Sequence, residues 1–185
     1  MDIEGFLRPW AGVAFRHIPA SSPYDVLDLR FAGVARDNRW NEPGEPTLYL
    51  ASDRGVAVAE FARHLSEGRQ LRDGSLVVER QLFRLQLSLA RTLDLRDPAL
   101  WAALSLREAP YCFRDKGIAR AVARFLRRTT PAQAIVAPSL AFLDDPSRFV
   151  LALFLEKLPA EPRRFVLRAE ADGILTLDLT ASADA

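Results

Sequence analysis

Arginine dominates the chemistry this chain can offer. Of its 25 basic residues all but Lys116 and Lys157 are Arg, the side chain whose planar fork meets a phosphate or carboxylate with two parallel hydrogen bonds. Cys112 is the only cysteine, which excludes an intramolecular disulfide and a thiolate zinc site and fits a reducing compartment. His17 and His64 are the only histidines, and with no H-x-x-x-H or C-x-x-C spacing they predict no metal-dependent mechanism. Taken one at a time, the other polar candidates have ordinary explanations. Glu60 reads as a solvated helix carboxylate that can pair with His64 one turn on, and Arg39 as a surface partner of Glu42. Tyr49 sits in an apolar strand as a core residue would, and the stem of Arg16 can simply cover apolar surface.

The elements that must position these residues follow from pattern and punctuation. Gly12 to Ile18 reads as a short strand with Arg16 on its second face, ended by Pro19, and Ala20 to Pro46 reads mostly as loop. Thr47 to Ala51 is a strand, and Ser52 or Asp53 caps a helix from about Arg54 to Leu65. On that helix Val58, Phe61, Ala62 and Leu65 share one face while Glu60 points to nearly the opposite side. Gly74 introduces a strand or bent hairpin from Leu76 to Leu89, which Arg91 to Leu95 continues. Pro98 starts a short helix through Trp101 to Leu106, and Lys116 to Arg128 is a second helix with Ile118, Val122 and Phe125 on one side. Ala134 to Ala137 is a buried-type strand stopped at Pro138, and Phe149 to Leu155 is another apolar run. Asp172-Gly173 is a hairpin signal inside Phe165 to Leu179.

At 49% hydrophobic and 26% charged, 185 residues suit one globular domain with a real core, here expected over residues 1–185. The predicted class is α+β, a small mixed central sheet with flanking helices and a C-terminal hairpin at about 163–179. A net charge of +1 supplies no general field for nucleic acid or anionic lipid, so direct binding of either is not expected. Met1 to Trp10 carries Asp2 and Glu4 instead of a basic n-region, and no apolar run approaches the roughly 20 residues that span a bilayer. A soluble cytoplasmic protein is expected.

The ordered combination is more specific than its parts. Arg39-Trp40-Asn41, Gly44 to Pro46, Tyr49, Ala51-Ser52, Ala57 and Glu60, then Gly117-Ile118-Ala119-Arg120 and Pro138-Ser139, resemble the RES domain family of bacterial toxins. Arg16 fits an earlier strand arginine of the pattern, and the resemblance runs from about Gly12 to Pro159. It implies a fold like the ADP-ribosyltransferase toxins, with NAD as a substrate and no separate cofactor. It further implies cleavage of the nicotinamide–ribose bond, by hydrolysis or phosphorolysis, with growth arrest as the outcome. Transfer of ADP-ribose to a protein is the alternative, as is a catalytically weakened RES-like module that only binds a nucleotide or protein.

On this resemblance Arg39, Tyr49, Glu60 and Ser139 form the catalytic set, and Arg16, Arg39, Trp40, Asn41, Tyr49 and Ser139 bind NAD. The residue types suit that substrate. Guanidinium forks match pyrophosphate oxygens, and a carboxylate stabilises the oxocarbenium-like ribose left when nicotinamide departs. An aromatic ring can stack on nicotinamide or hold the ribose, and Ser139 is assigned a hydrogen bond to substrate because neither histidine is spaced to activate it as a nucleophile. The resemblance also implies an antitoxin with a helix-turn-helix that makes any DNA contact and brings a carboxylate to Arg16 or Arg39, or a homodimer closing the same site. Two departures motivate the weakened module. Asp37-Asn38 stand where the pattern often has two glycines, and Asp144-Asp145-Pro146-Ser147-Arg148 replaces a segment that commonly carries Asn-Pro.

Overall fold

A computed structural model describes residues 2–32, 38–68 and 76–179, and among these residues six strands and three helices are joined by short 3-10 turns. The strands are β1 (Arg8–Pro19), β2 (Thr47–Ala51), β3 (Leu76–Asp94), β4 (Ala134–Pro138), β5 (Phe149–Phe154) and β6 (Val166–Leu179). They follow the order β1-β2-β5-β4-β3-β6, with β1 also paired to β3, so the pairings close a circuit through the first five. Only β3 with β4 is parallel, which makes the sheet mixed as expected. Two corners of the circuit are narrow. β1 meets β2 only at Phe15↔Ala51, and β3 meets β4 from Thr92↔Ala134 to Asp94↔Val136. In effect β1, β3 and β6 form one sheet and β2, β5 and β4 another, and their inner faces share a core of Leu48, Leu50, Leu85, Leu87, Val136 and Leu151.

β4 and β5 read as uninterrupted apolar runs because both faces are covered. Val136 and Leu151 pack inside the circuit, while Ile135 and Ala152 pack outward against Leu93, Leu100 and Leu126. The helices α1 (Arg54–Gly68), α2 (Pro98–Ala103) and α3 (Lys116–Thr129) supply the outer layers. Aspartates cap all three: Asp53 accepts from Val56 N, Asp97 from Ala99 N, and Asp115 from Gly117 N and Ile118 N. Replacing Asp115 with Ala leaves two first-turn amides of α3 without this acceptor, and a loss of about 1 kcal/mol is expected in urea unfolding. Asp115→Asn, which keeps an acceptor, should stay close to wild type.

Three sequence expectations are corrected. β3 is a single strand continuous to Asp94, so the bent-hairpin alternative for Leu76 to Leu89 is set aside; Gly74 itself lies outside the described residues. Asp172-Gly173 is no hairpin turn: β6 runs straight through it. The register moves from Gln81↔Ile174 to Phe83↔Ala171, so an extra β6 residue bulges there, and Gly173 at φ +98 supplies the left-handed backbone that a hairpin turn would also have needed. On α3 the buried residues are Ala119, Ala123, Leu126 and Arg127, whereas Ile118 and Phe125 from the predicted apolar stripe lie exposed. Small alanines let this helix approach the sheet closely, and Arg127 is accommodated by ion pairs to Glu45 at 2.9 Å and Glu156 at 2.7 Å.

Candidate functional site

Beyond their single point of pairing, β1 and β2 diverge, and a cleft opens between them. Its volume is about 410 Å³, within the range of small-molecule sites, and Arg16, Arg39, Tyr49 and Glu60 all line it. Phe15, Arg16 and His17 come from β1, and Thr47 to Ala51 from β2. Glu60, Phe61, Arg63 and His64 come from α1, which packs over the same corner.

Glu60 is held from three sides. Ser139, just past the end of β4, donates its hydroxyl to Glu60 Oε1 at 2.6 Å, and Ala141 N donates to the same oxygen at 3.2 Å. Arg63 grips Oε2 through Nη2 at 2.7 Å and Nε at 3.1 Å, so the carboxylate is paired with Arg63 and not with His64, which lies exposed. The expected placement of Glu60 on the outer side of its helix is therefore wrong. It continues the inward row begun by Val56 and Ala57, and its side chain is 19% exposed. Ser139 has no exposed surface and spends its hydroxyl on Glu60, so it positions the carboxylate instead of meeting a ligand directly.

Arg39-Trp40-Asn41 builds a wall of the cleft. Arg39 is no surface partner of Glu42: it is 8% exposed, and its Nη1 donates to the carbonyls of Phe113 and Arg114, both at 2.9 Å. Glu42 lies 3.7 Å from Arg124. Trp40 packs edge-on against Phe113 with ring centroids 5.1 Å apart. Tyr49 donates its phenol proton to Asn41 Oδ1 at 2.7 Å and accepts from Trp40 N at 2.9 Å. Burial pushes the Tyr49 phenol well above its ordinary pKa, so it remains a neutral donor. Asn41 is buried behind this ring and is not among the lining residues. The wall is braced from α3, where Arg120 Nε donates to Asn38 O at 2.8 Å. Asn38 lines the cleft, while Asp37 lies outside the described residues. The divergent Asp144–Arg148 segment folds as a separate turn in which Asp145 accepts from Ser147, and none of it lines the cleft.

A profile of the RES domain matches residues 12–178. The chain belongs to the RES domain family. A search of curated protein sequences gives no match. Among solved structures, this RES domain is similar in fold to a chain in the crystal structure of the M. tuberculosis MbcT–MbcA toxin–antitoxin complex, with a TM-score of 0.58 at 18% identity. The likeness covers 94% of this chain and 87% of that one. The six-stranded mixed sheet and its flanking helices are thus the fold of a RES domain, α+β as expected.

Among the lining residues of this RES domain to which sequence reasoning gives no role are His17 and Arg80. Arg80 Nε donates to His17 Nδ1 at 3.1 Å, and the imidazole stacks at a tilt on Phe61 with centroids 4.6 Å apart. The two residues are 63 positions apart and meet only because β1 pairs with β3, a register no local pattern encodes. Burial, then the cations Arg80 and Arg16, and then His64 pull the His17 pKa from 6.5 to about 4. Because the folded value lies below the unfolded one, the unfolded chain binds the extra proton between these limits. Stability is therefore lost as pH falls from about 6.5 towards 4. Between pH 7 and pH 5 this one group is expected to remove about 2 kcal/mol, read as a urea-midpoint shift in wild type that is absent from His17→Asn.

Among the described residues no group of three or more His, Cys, Asp or Glu side chains is arranged to hold a metal ion, and no helix is long and apolar enough to cross a membrane.

Proposed function

We propose that this chain is a RES-type toxin that degrades NAD by breaking the bond between nicotinamide and ribose. The observation that supports this reading is the placement of an oriented carboxylate, Glu60, in the same cleft as Arg16, Arg39 and Tyr49. A dinucleotide asks for cations at its diphosphate and a negative group at the ribose carbon that becomes electron-poor. In the reaction, the C–N bond breaks with its electron pair passing to the nicotinamide ring, which leaves neutral. The ribose carbon becomes oxocarbenium-like, and water or phosphate adds to it, water giving up a proton in the process. Glu60 faces that developing charge, with Ser139, Ala141 N and Arg63 holding it in place so that little reorganisation is needed during the step.

An enzyme that exhausts NAD needs restraint, and the fold likeness to a chain of a toxin–antitoxin complex supports an inhibitory protein partner here too. Controlled expression in bacteria tests the reading. Wild type should arrest growth while cellular NAD falls, and Glu60→Gln should do neither. Growth arrest at constant NAD would contradict it, as would equal NAD loss from both forms.

A further inference from the structure

Among the described residues, three cations outside the motif pattern line the cleft: Arg63, which is paired with Glu60, Lys116 at the start of α3, and Arg80. Arg80 leaves β3 opposite Pro19, two residues along from the Leu82 that pairs with His17, so Arg80 and His17 share one face of the sheet. Its Nε donates to His17 Nδ1, and its guanidinium lies 5.0 Å from the Phe61 ring centroid. Among the described residues these are its side-chain contacts, and both hold the guanidinium without neutralising it. Arg16 donates through Nη1 to Val26 O, a neutral carbonyl. Asp28 and Asp25 favour the Arg16 charge from outside the cleft lining, but Asp28 is gripped by Arg30 at 2.6 Å.

Arg16, opposite Phe83, and Arg80, opposite Pro19, leave the β1–β3 pair on different faces and both line the one cavity, where like charges in an empty site carry a Coulomb cost. An anion between them reverses that cost, and a diphosphate offers several oxygens to two forks at once. We propose that Arg16 and Arg80 form the subsite for the diphosphate of a dinucleotide, and that His17 is the positioning residue that aims Arg80. The inference rests on the cleft being an NAD site. It moves the principal diphosphate contact from Arg39, whose Nη1 bridges the Phe113 and Arg114 carbonyls, to Arg80. His17 can act this way because its Nδ1 accepts the Arg80 Nε proton, which requires a neutral ring and leaves the Nη pair as the fork presented to the ligand.

Calorimetric titration with ADP, which carries the diphosphate but no nicotinamide ribose, separates this subsite from the reaction. Wild type should bind ADP, and Arg80→Ala should bind it roughly tenfold to hundredfold more weakly, the effect of losing a charge-assisted pair. Arg80→Lys, which keeps the charge without the fork, should fall between them. His17→Leu should weaken ADP binding as Arg80→Ala does, and His17→Gln, which restores an acceptor, should recover most of the loss. The double variant Arg80→Ala/His17→Leu should be no weaker than Arg80→Ala alone, a non-additivity that a merely structural His17 would not produce. Urea unfolding confirms that each variant is folded. ADP affinity in Arg80→Ala within twofold of wild type, or no ADP binding by wild type, overturns the subsite; additive effects overturn the role of His17. Arg80-dependent ADP binding without nicotinamide release from NAD would sink the proposed reaction while upholding the subsite.

Discussion

Glu60→Gln is expected to lower kcat for NAD turnover by roughly 10²- to 10³-fold, with KM changed far less, because the lost charge acts on the transition state. Gln is nearly isosteric and its Oε1 can still accept from the Ser139 hydroxyl and the Ala141 amide, but its Nε2 then turns a donor towards Arg63, so the comparison is made on variant protein whose urea midpoint matches wild type. The effect should therefore report charge and not misfolding. Ser139→Ala removes the 2.6 Å hydrogen bond that orients the carboxylate but leaves Arg63 in place. Its expected loss is smaller, about tenfold, which steady-state kinetics of nicotinamide release can rank against Glu60→Gln.

The largest expected loss of stability lies at Arg127, on α3 and 6% exposed. Its guanidinium bonds Glu45, Glu156, the Pro46 carbonyl and the Thr47 hydroxyl, and stands 4.4 Å from the Phe154 ring centroid. It thereby ties the start of β2 and the end of β5 to a single helix. Arg127→Ala leaves a hydroxyl, a carbonyl and two carboxylates without their common partner, and a loss of about 3 kcal/mol is expected in urea unfolding. Because Thr47 and Tyr49 lie on the same short strand, NAD turnover should fall as well. Arg127→Lys, which keeps the charge but offers fewer directed donors, should lie between wild type and Ala.

Legibility followed the kind of signal each element carries. β4 and β5 announce themselves because strands covered on both faces are apolar throughout, and the Asp caps stand where the helices begin. α3 misled because its buried face is made of alanines and one arginine, while larger apolar side chains, Ile118 and Phe125, stay outside. Hydrophobicity alone cannot report a close helix approach or a buried guanidinium satisfied by partners on β5 and the β2 entry. α1 misled for a related reason: part of it lines a polar cleft, so the residue that continues its inner row is Glu60. Asp172-Gly173 carries a signal for positive φ, which a turn and a bulge use equally, and only the length of β3 decides between them.

The candidate site was readable as a set of residues before it was readable as a geometry. Arg16, Arg39, Tyr49, Glu60 and Ser139 follow from their order in the RES pattern, and the fold brings four of them to the cleft and the fifth onto Glu60. Their division of labour depends on contacts far apart in sequence. Arg39 reaches a turn 74 residues away and Ser139 reaches Glu60 across 79, and such separations leave no local trace. His17 and Arg80 are the sharper case, since a lone His and a strand Arg carry no pattern until β1 is laid beside β3.

Proton NMR of NAD mixed with the purified chain, in water and again with added phosphate, tests the central claim most directly. The signals of bound nicotinamide in NAD should be replaced by those of free nicotinamide at a rate proportional to protein concentration. The accompanying ribose signals should be those of ADP-ribose, or of its phosphate ester if phosphate is the acceptor. Glu60→Gln should leave NAD almost unchanged over the same period. An intact NAD spectrum with folded wild-type protein, or equal cleavage by Glu60→Gln, would contradict the account.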